Sequence, residues 1–342
     1  MAAAIPAIAL AACSSGGGST SSVETGPAPE VSTITLDAVP TADAAGLYIA
    51  QDNGYFARQG LTVKIVPIGG GEYGMGDLQT GTAQLLEGNY VSFILAQIEG
   101  KFAAPNPKNP TQTKPMKPIN MRMIANSSQM QSGNQALYVL PDSPYKTVRQ
   151  LVQAKAKVGV NTKHNIGTVL LGSLLAANGY GVGAVTQVPE PLPNMPEILA
   201  KHQIPAAWMP EPFGTIAQQK YGAVPIADFN QGSLQNFPIG TVVGSASWVQ
   251  SHPKTIAAFL RAYNEGQQVA DTDRAAVEKS LVAHVPGMTK ELAATMTLDT
   301  YPLAMDVAVM QRVPDAMFEF GVITKPYDIT KMIQPEPGMI KK

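Results

Sequence analysis

Five short stretches of the chain carry side chains able to hold a small molecule. Thr41 and Asp43 offer a hydroxyl and a carboxylate just after an alternating apolar–polar segment, 31–37. They either meet a ligand or cap the helix that follows. Gly70, Gly71 and Glu72 follow a second alternating segment, 61–66. Glycines let backbone N–H groups converge on an oxyanion, although Glu72 would repel one, and a simple turn fits equally well. The run lacks the Gly-Lys-Ser/Thr ending of a phosphate loop. Asn89 and Tyr90 precede an apolar helix, one as a cap and the other as an aromatic wall. Thr162, Lys163, His164 and Asn165 also precede a helix, whose first N–H groups suit an anionic head, with Lys163 adding charge. The alternative there is an exposed polar cap. Trp208 and Glu211 end one strand and open a helix. The indole either stacks on a ligand or fills core. Glu211 either accepts from an ammonium or amino-pyrimidine or favours the helix start.

Other chemistries are poorly served. Four histidines, His164, His202, His252 and His284, have no metal-binding spacing, and one cysteine, Cys13, makes neither an internal disulfide nor a cysteine zinc site. No metal and no cofactor is expected. No Gly-x-Ser-x-Gly elbow or Ser-His-Asp order is visible, so no enzyme is expected. Lys plus Arg number 24 against 25 Asp plus Glu, which leaves no field to gather nucleic acid.

The elements that must position these residues alternate. Strand-like segments are expected at 31–37, 61–66, 83–87, 121–126, 135–140, 157–160, 185–188, 206–209, 224–227 and 241–247. Helical segments fall between them at 44–51, 75–80, 91–98, 147–154, 167–178, 195–202 and 212–221. Residues 104–118 are proline-rich and read as an exposed loop. A long amphipathic helix follows Pro253, with Ile256, Phe259, Leu260 and Tyr263 as its buried stripe. Helices then continue, and Pro314 should kink or divide the one across 307–320. Such alternation implies α/β units with parallel strands, and two sets of them imply two lobes. Ligands of such sheets lie beyond the carboxyl ends of the strands.

At the amino end, Leu10-Ala11-Ala12-Cys13 resembles the bacterial lipobox, a branched residue and two small ones before cysteine. The resemblance implies signal cleavage before Cys13 and lipidation of its thiol. Residues 1–13 are then signal and lipobox, and 14–30, rich in Ser and Gly, a flexible tether. The apolar run before Cys13 is far shorter than the roughly 20 residues that span a bilayer. The segment also lacks the basic start of a usual signal.

The run Leu47 to Val63, with Gly54-Tyr55-Phe56 and Gly60-Leu61-Thr62-Val63, resembles the nitrate/sulfonate/taurine family of periplasmic binding proteins, which includes binders of thiamine pyrimidine precursors. Trp208-Met-Pro-Glu211-Pro-Phe213 is similar to that family's second signature, and Gly88-Asn-Tyr90 and Ser251-His-Pro253 are weaker matches. Gln84 and Pro205 stand where the family usually has Asp. The resemblance implies a type II two-lobed α/β fold with a cleft and two crossover segments, near 135–140 and 235–241. One lobe would comprise 31–137 and 238–342, the other 138–237. It also implies a monomeric, lipid-anchored, extracytoplasmic component of an ABC importer. The lobes would close on a small sulfonate, taurine-like or nitrate-like solute and present it to a permease. A thiamine pyrimidine precursor or other amino-heterocycle is the alternative ligand. An enzyme on the same fold is a poor rival, since the fungal enzymes of this shape carry a cysteine-rich motif.

Overall fold

A computed structural model describes residues 26–100, 104–106, 109–114, 117–334 and 340–341. Cys13, the lipobox and most of the expected tether lie outside the described residues.

The chain opens with β1 (Thr33–Ala38), α1 (Ala45–Asp52), the short α2 (Tyr55–Arg58), β2 (Thr62–Pro67), α3 (Gly71–Thr80), β3 (Leu85–Asn89) and α4 (Tyr90–Ile98). A hairpin, β4 (Ala104–Asn106) and β5 (Asn109–Lys114), stands where a loop was expected. Its Thr-Gln-Thr run has a strand preference that the neighbouring prolines hide. Next comes β6 (Met121–Gln129). The chain then crosses into β7 (Gln135–Val139), α5 (Val148–Gln153), β8 (Lys157–Val160), α6 (Ile166–Ala177), β9 (Thr186–Pro189), α7 (Met195–Ala200), β10 (Ala206–Pro210), α8 (Phe213–Tyr221) and β11 (Val224–Asp228). It returns as β12 (Pro238–Ser245) and ends in α9 (Ala246–Ser251), α10 (Pro253–Thr272), α11 (Arg274–His284), α12 (Lys290–Thr295) and α13 (Val307–Glu319).

Ten strands make two mixed five-stranded sheets, β2-β1-β3-β12-β6 and β9-β8-β10-β7-β11. The two orders are the same pattern. In each sheet three parallel strands are followed by an antiparallel one that has just arrived from the other sheet. Each sheet therefore depends on a strand delivered through the junction, the two-lobed α/β architecture expected from the alternation. The chain passes between sheets at 130–134 and 229–237. The first passage lies earlier than the expected 135–140, because Gln135–Val139 already pairs with β10 and β11.

Close packing fixes the outer helices. Ile256, Phe259, Leu260 and Tyr263 are buried on α10 as their spacing requires. A Cβ on Gly266 of α10 would overlap the carbonyl oxygen of Gly46 on α1, so only glycine allows these helices to approach so closely. The chain before β1 is clamped to the start of α10. Glu30 accepts from Lys254 N at 3.0 Å and Thr255 N at 2.7 Å, satisfying donors that a helix start leaves free. Helix α13 runs unbroken through Pro314. Burial of Met310, Val313 and Met317 offsets the roughly 3 kcal/mol that an interior proline costs. Among the described residues no helix is long and apolar enough to cross a membrane.

The two departures from the family pattern both fit. Gln84 accepts from Thr35 N at 2.8 Å and donates to the Gly81 carbonyl at 2.8 Å, closing the turn before β3. Pro205 sits immediately before β10, where its missing N–H takes no donor from the strand interior.

Candidate functional site

A cavity of about 40 Å³ lies between the sheets. That is room for roughly three water-sized groups, or one compact solute. Its wall is built from equivalent places in both sheets. Val39, Thr41 and Asp43 follow β1, Gly70 and Gly71 follow β2, and Glu87, Gly88 and Asn89 end β3. From the other side, Asn161 follows β8, Leu192 follows β9, and Trp208 and Pro210 end β10. The antiparallel strands give their first residues, Gln135 from β7 and Ile239 and Gly240 from β12. Six parallel strands thus aim their carboxyl ends at one small volume, the place where open α/β sheets bind ligands.

The wall's polar groups are mostly acceptors. Glu87 is buried, with Ser127 Oγ donating to one oxygen at 3.0 Å and Val39 N to the other at 3.3 Å. Burial, reinforced by the nearby Asp43 carboxylate, pushes the Glu87 carboxyl up to about 8. Asp43 accepts from Ser128 Oγ and from Thr41 Oγ1, and burial outweighs both bonds to hold its carboxyl above the usual range. Behind this pair stands Asp299, held by Asn134 Nδ2 at the passage between sheets. Burial and the charges of Asp43 and Glu211 raise it well above an ordinary aspartate. Among the described residues no lysine, arginine or histidine lines the cavity.

Three helices of nine or more residues, α3, α4 and α6, begin at the wall. Each start is already served by an acceptor of the protein. Glu72 folds its carboxylate back onto its own backbone N–H at the head of α3, with its oxygens over Gly70. Asn89 Oδ1 accepts from Ser92 N at 3.0 Å, and Asn165 Oδ1 accepts from Ile166 N at 2.7 Å.

Of the residues singled out in the sequence, Thr41, Asp43, Gly70, Gly71, Asn89 and Trp208 line the cavity. Gly71 belongs to α3, not to a turn as expected. The Trp208 ring is buried and donates Nε1–H to Gln135 Oε1 at 3.1 Å. The others sit elsewhere. Glu72 is buried beside Asn165, whose Nδ2 approaches it at 3.5 Å. Tyr90 is wholly buried, because its hydroxyl is drawn to Asn126 Oδ1. Thr162 accepts from Asn165 Nδ2 at 2.8 Å. Lys163 and His164 are exposed, since a left-handed backbone at His164 (φ 58°) makes the turn into α6. Glu211 accepts from both the backbone N–H and the hydroxyl of Thr215, at 3.1 and 2.8 Å, and so caps α8. Burial pushes its carboxyl up to about 7.

Sequence reasoning missed Glu87, Asn161, Gln135 and Asp299. Glu87 had a visible signal, a carboxylate closing a strand otherwise read as buried. Asp299 had none, because it lies in an aperiodic stretch and reaches the site only through the tertiary fold.

A family model described as the NMT1-like family matches residues 27–285. No curated protein sequence gives a significant match. Many solved structures share the fold. The periplasmic nitrate-binding protein NrtA from Synechocystis PCC 6803 is 19% identical, over 75% of this chain and 67% of that one, with a TM-score of 0.64. The alkanesulfonate-binding protein SsuA from Xanthomonas axonopodis pv. citri, bound to MOPS, is 14% identical over 89% and 99%, with a TM-score of 0.71. The desulfurization enzyme DSZB is 16% identical over 90% and 97%, with a TM-score of 0.61. At these identities the likeness establishes a shared architecture, one that carries binding proteins and at least one enzyme.

Proposed function

The chain belongs to the NMT1-like family, and on that premise we propose that it is the solute-binding component of an ABC importer. One observation carries this reading. The cavity is assembled from the carboxyl ends of strands in both sheets, so a solute seated there is held by both halves at once. Closure then requires only that the solute bind the closed arrangement better than the open one. The names of structural neighbours, nitrate-binding, alkanesulfonate-binding and import-system ligand-binding proteins, support the same role.

The protein acts outside the cytoplasm as a monomer, tethered by a lipid on Cys13 beside a permease that reads the closed form. The lipobox-like Leu10-Ala11-Ala12-Cys13 and the Ser- and Gly-rich sequence after it support that placement. The division of labour follows the sheets, one lobe from both chain ends and one from the middle.

Two ligand classes fit this role. A small sulfonate, taurine-like or nitrate-like solute is supported by the neighbours' names and by the three helix starts at the wall. An amino-heterocycle, such as a thiamine pyrimidine precursor, is supported by Glu87 and Asp43. Catalysis is the weaker alternative, as the described residues of the wall include no thiol or histidine to start a reaction.

Native mass spectrometry of the freshly purified protein tests the proposal. A stoichiometric small molecule, released unchanged on denaturation and raising the melting temperature when added back, is the expected result. Conversion of that molecule on incubation would replace the binding role with an enzymatic one.

A further inference from the structure

Resting on the solute-trap reading, we infer that the cavity takes a compact cation bearing N–H donors, an alkylammonium or amidinium of a few heavy atoms. Its wall offers two carboxyls and other acceptors, and among the described residues no cationic side chain.

Hydrogen-bond accounting carries the argument. A carboxylate has about four acceptor positions. Glu87 uses two, on Ser127 Oγ and Val39 N. Asp43 uses three, on Ser128 Oγ, Thr41 Oγ1 and its own backbone N–H. Both keep acceptor capacity, and Thr41, having given its proton to Asp43, faces a ligand as an acceptor too. An independent sign comes from Asn161. It lines the cavity and is only 7% exposed, yet its side-chain carbonyl has no hydrogen-bond partner. Buried acceptors of this kind are normally satisfied, so an unpaired one at a cavity wall calls for a donor.

The opposite reading, an oxyanion on the helix starts, must compete with acceptors that the protein already places there. The heads of α3, α4 and α6 already serve Glu72, Asn89 and Asn165. A helix start carries about half a charge, against a full charge on each carboxylate it faces. Neutral amides of Asn89, Gln135 and Asn161 remain and can hold a second, polar end of the solute. Ile166, Leu192, Ile239 and the Trp208 ring supply the apolar remainder, and an indole face suits a cation.

Burial favours the neutral form of both Asp43 and Glu87, whereas a cation beside them favours the charged form. The Asp43 charge raises Glu87, and the charges of Asp43, Glu211 and Glu87 raise Asp299; the surrounding titratable groups are Glu72 at the head of α3 and the buried phenols of Tyr48, Tyr90, Tyr138, Tyr263 and Tyr301, with Asp228 beyond Tyr138. Arg274 is the guanidinium whose field reaches Tyr301, and it is committed to Glu278 and to the carbonyls of Ala294 and Met296. A bound cation therefore displaces protons. Its affinity rises about tenfold per pH unit for each proton released.

The test is calorimetry and thermal shift on the full chain with methylammonium, ethanolammonium and acetamidinium. Nitrate, taurine, ethanesulfonate and choline form the comparison set. We expect at least one N–H cation to bind with proton release, seen as a buffer-dependent heat, and to bind more tightly as pH rises from 5.5 to 7.5. In Glu87→Gln the amide oxygen can still accept from Val39 N while the NH2 donates to Ser127 Oγ, and the change should weaken that binding by about tenfold or more while the unliganded protein melts no lower. Stabilisation by nitrate or ethanesulfonate with no binding of any N–H cation, taurine's ammonium included, or binding that tightens as pH falls, overturns the inference and leaves the solute trap standing. Choline binding as well as methylammonium overturns the donor requirement. A protein that stays unchanged with every probe, and carries no small molecule in native mass spectrometry, overturns the trap itself.

Discussion

Ser92 Oγ donates to Asn165 Oδ1 at 3.1 Å, joining the first turn of α4 beside one sheet to the cap of α6 beside the other. Both residues are fully buried. Asn165 also keeps its amide on Thr162 and near Glu72, so one side chain ties three segments across the cleft.

Asn165→Ala should therefore act twice. Losing the α6 cap costs about 1 kcal/mol, and losing the cross-cleft bond loosens closure. Ser92→Ala removes only the second effect. Small-angle scattering of the unliganded protein should show a larger radius of gyration for both variants, whereas the melting temperature should fall clearly only for Asn165→Ala. Unchanged scattering from both would mean that the pair does not hold the lobes.

Protonation of the buried carboxyls sets a pH dependence with a definite sign. Burial holds Glu87 near 8 and both Glu72 and Glu211 near 7, above the roughly 4.3 of an unfolded glutamate. Over that window the folded state binds more protons than the unfolded one. Their stabilising contribution is complete below the unfolded value and is lost as pH rises through 7 to 8. Scanning calorimetry should find the unliganded protein melting lower at pH 8 than at pH 5.5, with a shallower slope for Glu87→Gln. A melting temperature that climbs over this range contradicts the assignment. Glu30 has the reverse sign. Burial disfavours its charge, but the bonds from Lys254, Thr255 and its own backbone win and lower it to about 2. Its contribution is present above the unfolded value and fades only in acid.

Trp208 is a built-in reporter. The chain has two tryptophans, and Trp248 stacks on His252 at 4.7 Å, away from the cavity. In a Trp248→Phe background the emission comes from Trp208 alone. Gly167→Ala should shift that emission, because a Cβ at 167 would come within 2.8 Å of the indole. Solute binding to the Trp248→Phe protein should shift it as well. An unresponsive spectrum with a bound solute would place the solute elsewhere.

Gly266→Ala tests the packing of α10 on α1. Its Cβ would overlap the Gly46 carbonyl and press on Ala50. Backbone must move, at a cost of about 1–3 kcal/mol read from urea denaturation. Gly76→Ala, where a Cβ meets open space, is the control and should be neutral or slightly stabilising.

Much of this architecture is legible in residue order. Thr147 was readable as a helix start, and its hydroxyl does accept from Gln150 N at 3.3 Å. The strand–helix alternation carried the α/β class, because period and punctuation are local properties. What failed was nonlocal. The first turn of α3 is Gly-Glu-Tyr-Gly, a poor helix sequence by propensity, and its glycines are needed because a Cβ on Gly74 would lie 2.5 Å from Leu86 of β3. Pro314 reads as a break, and the buried methionines around it decide otherwise. The site divides in the same way. Residues next to strand ends could be chosen from the sequence. Which of them face the cavity depended on hydrogen bonds such as Tyr90 to Asn126, which turn a side chain away.

The clamp at Glu30 also defines a load path. Any pull reaching Glu30 from the amino-terminal side is borne by the backbone N–H groups of Lys254 and Thr255 and the Thr255 hydroxyl. It then enters the long rod of α10 and the face of α1 locked to it. Neither element contributes a residue to the cavity wall, so a force arriving at Glu30 is taken up first by the outer frame of the sheet that β1 belongs to.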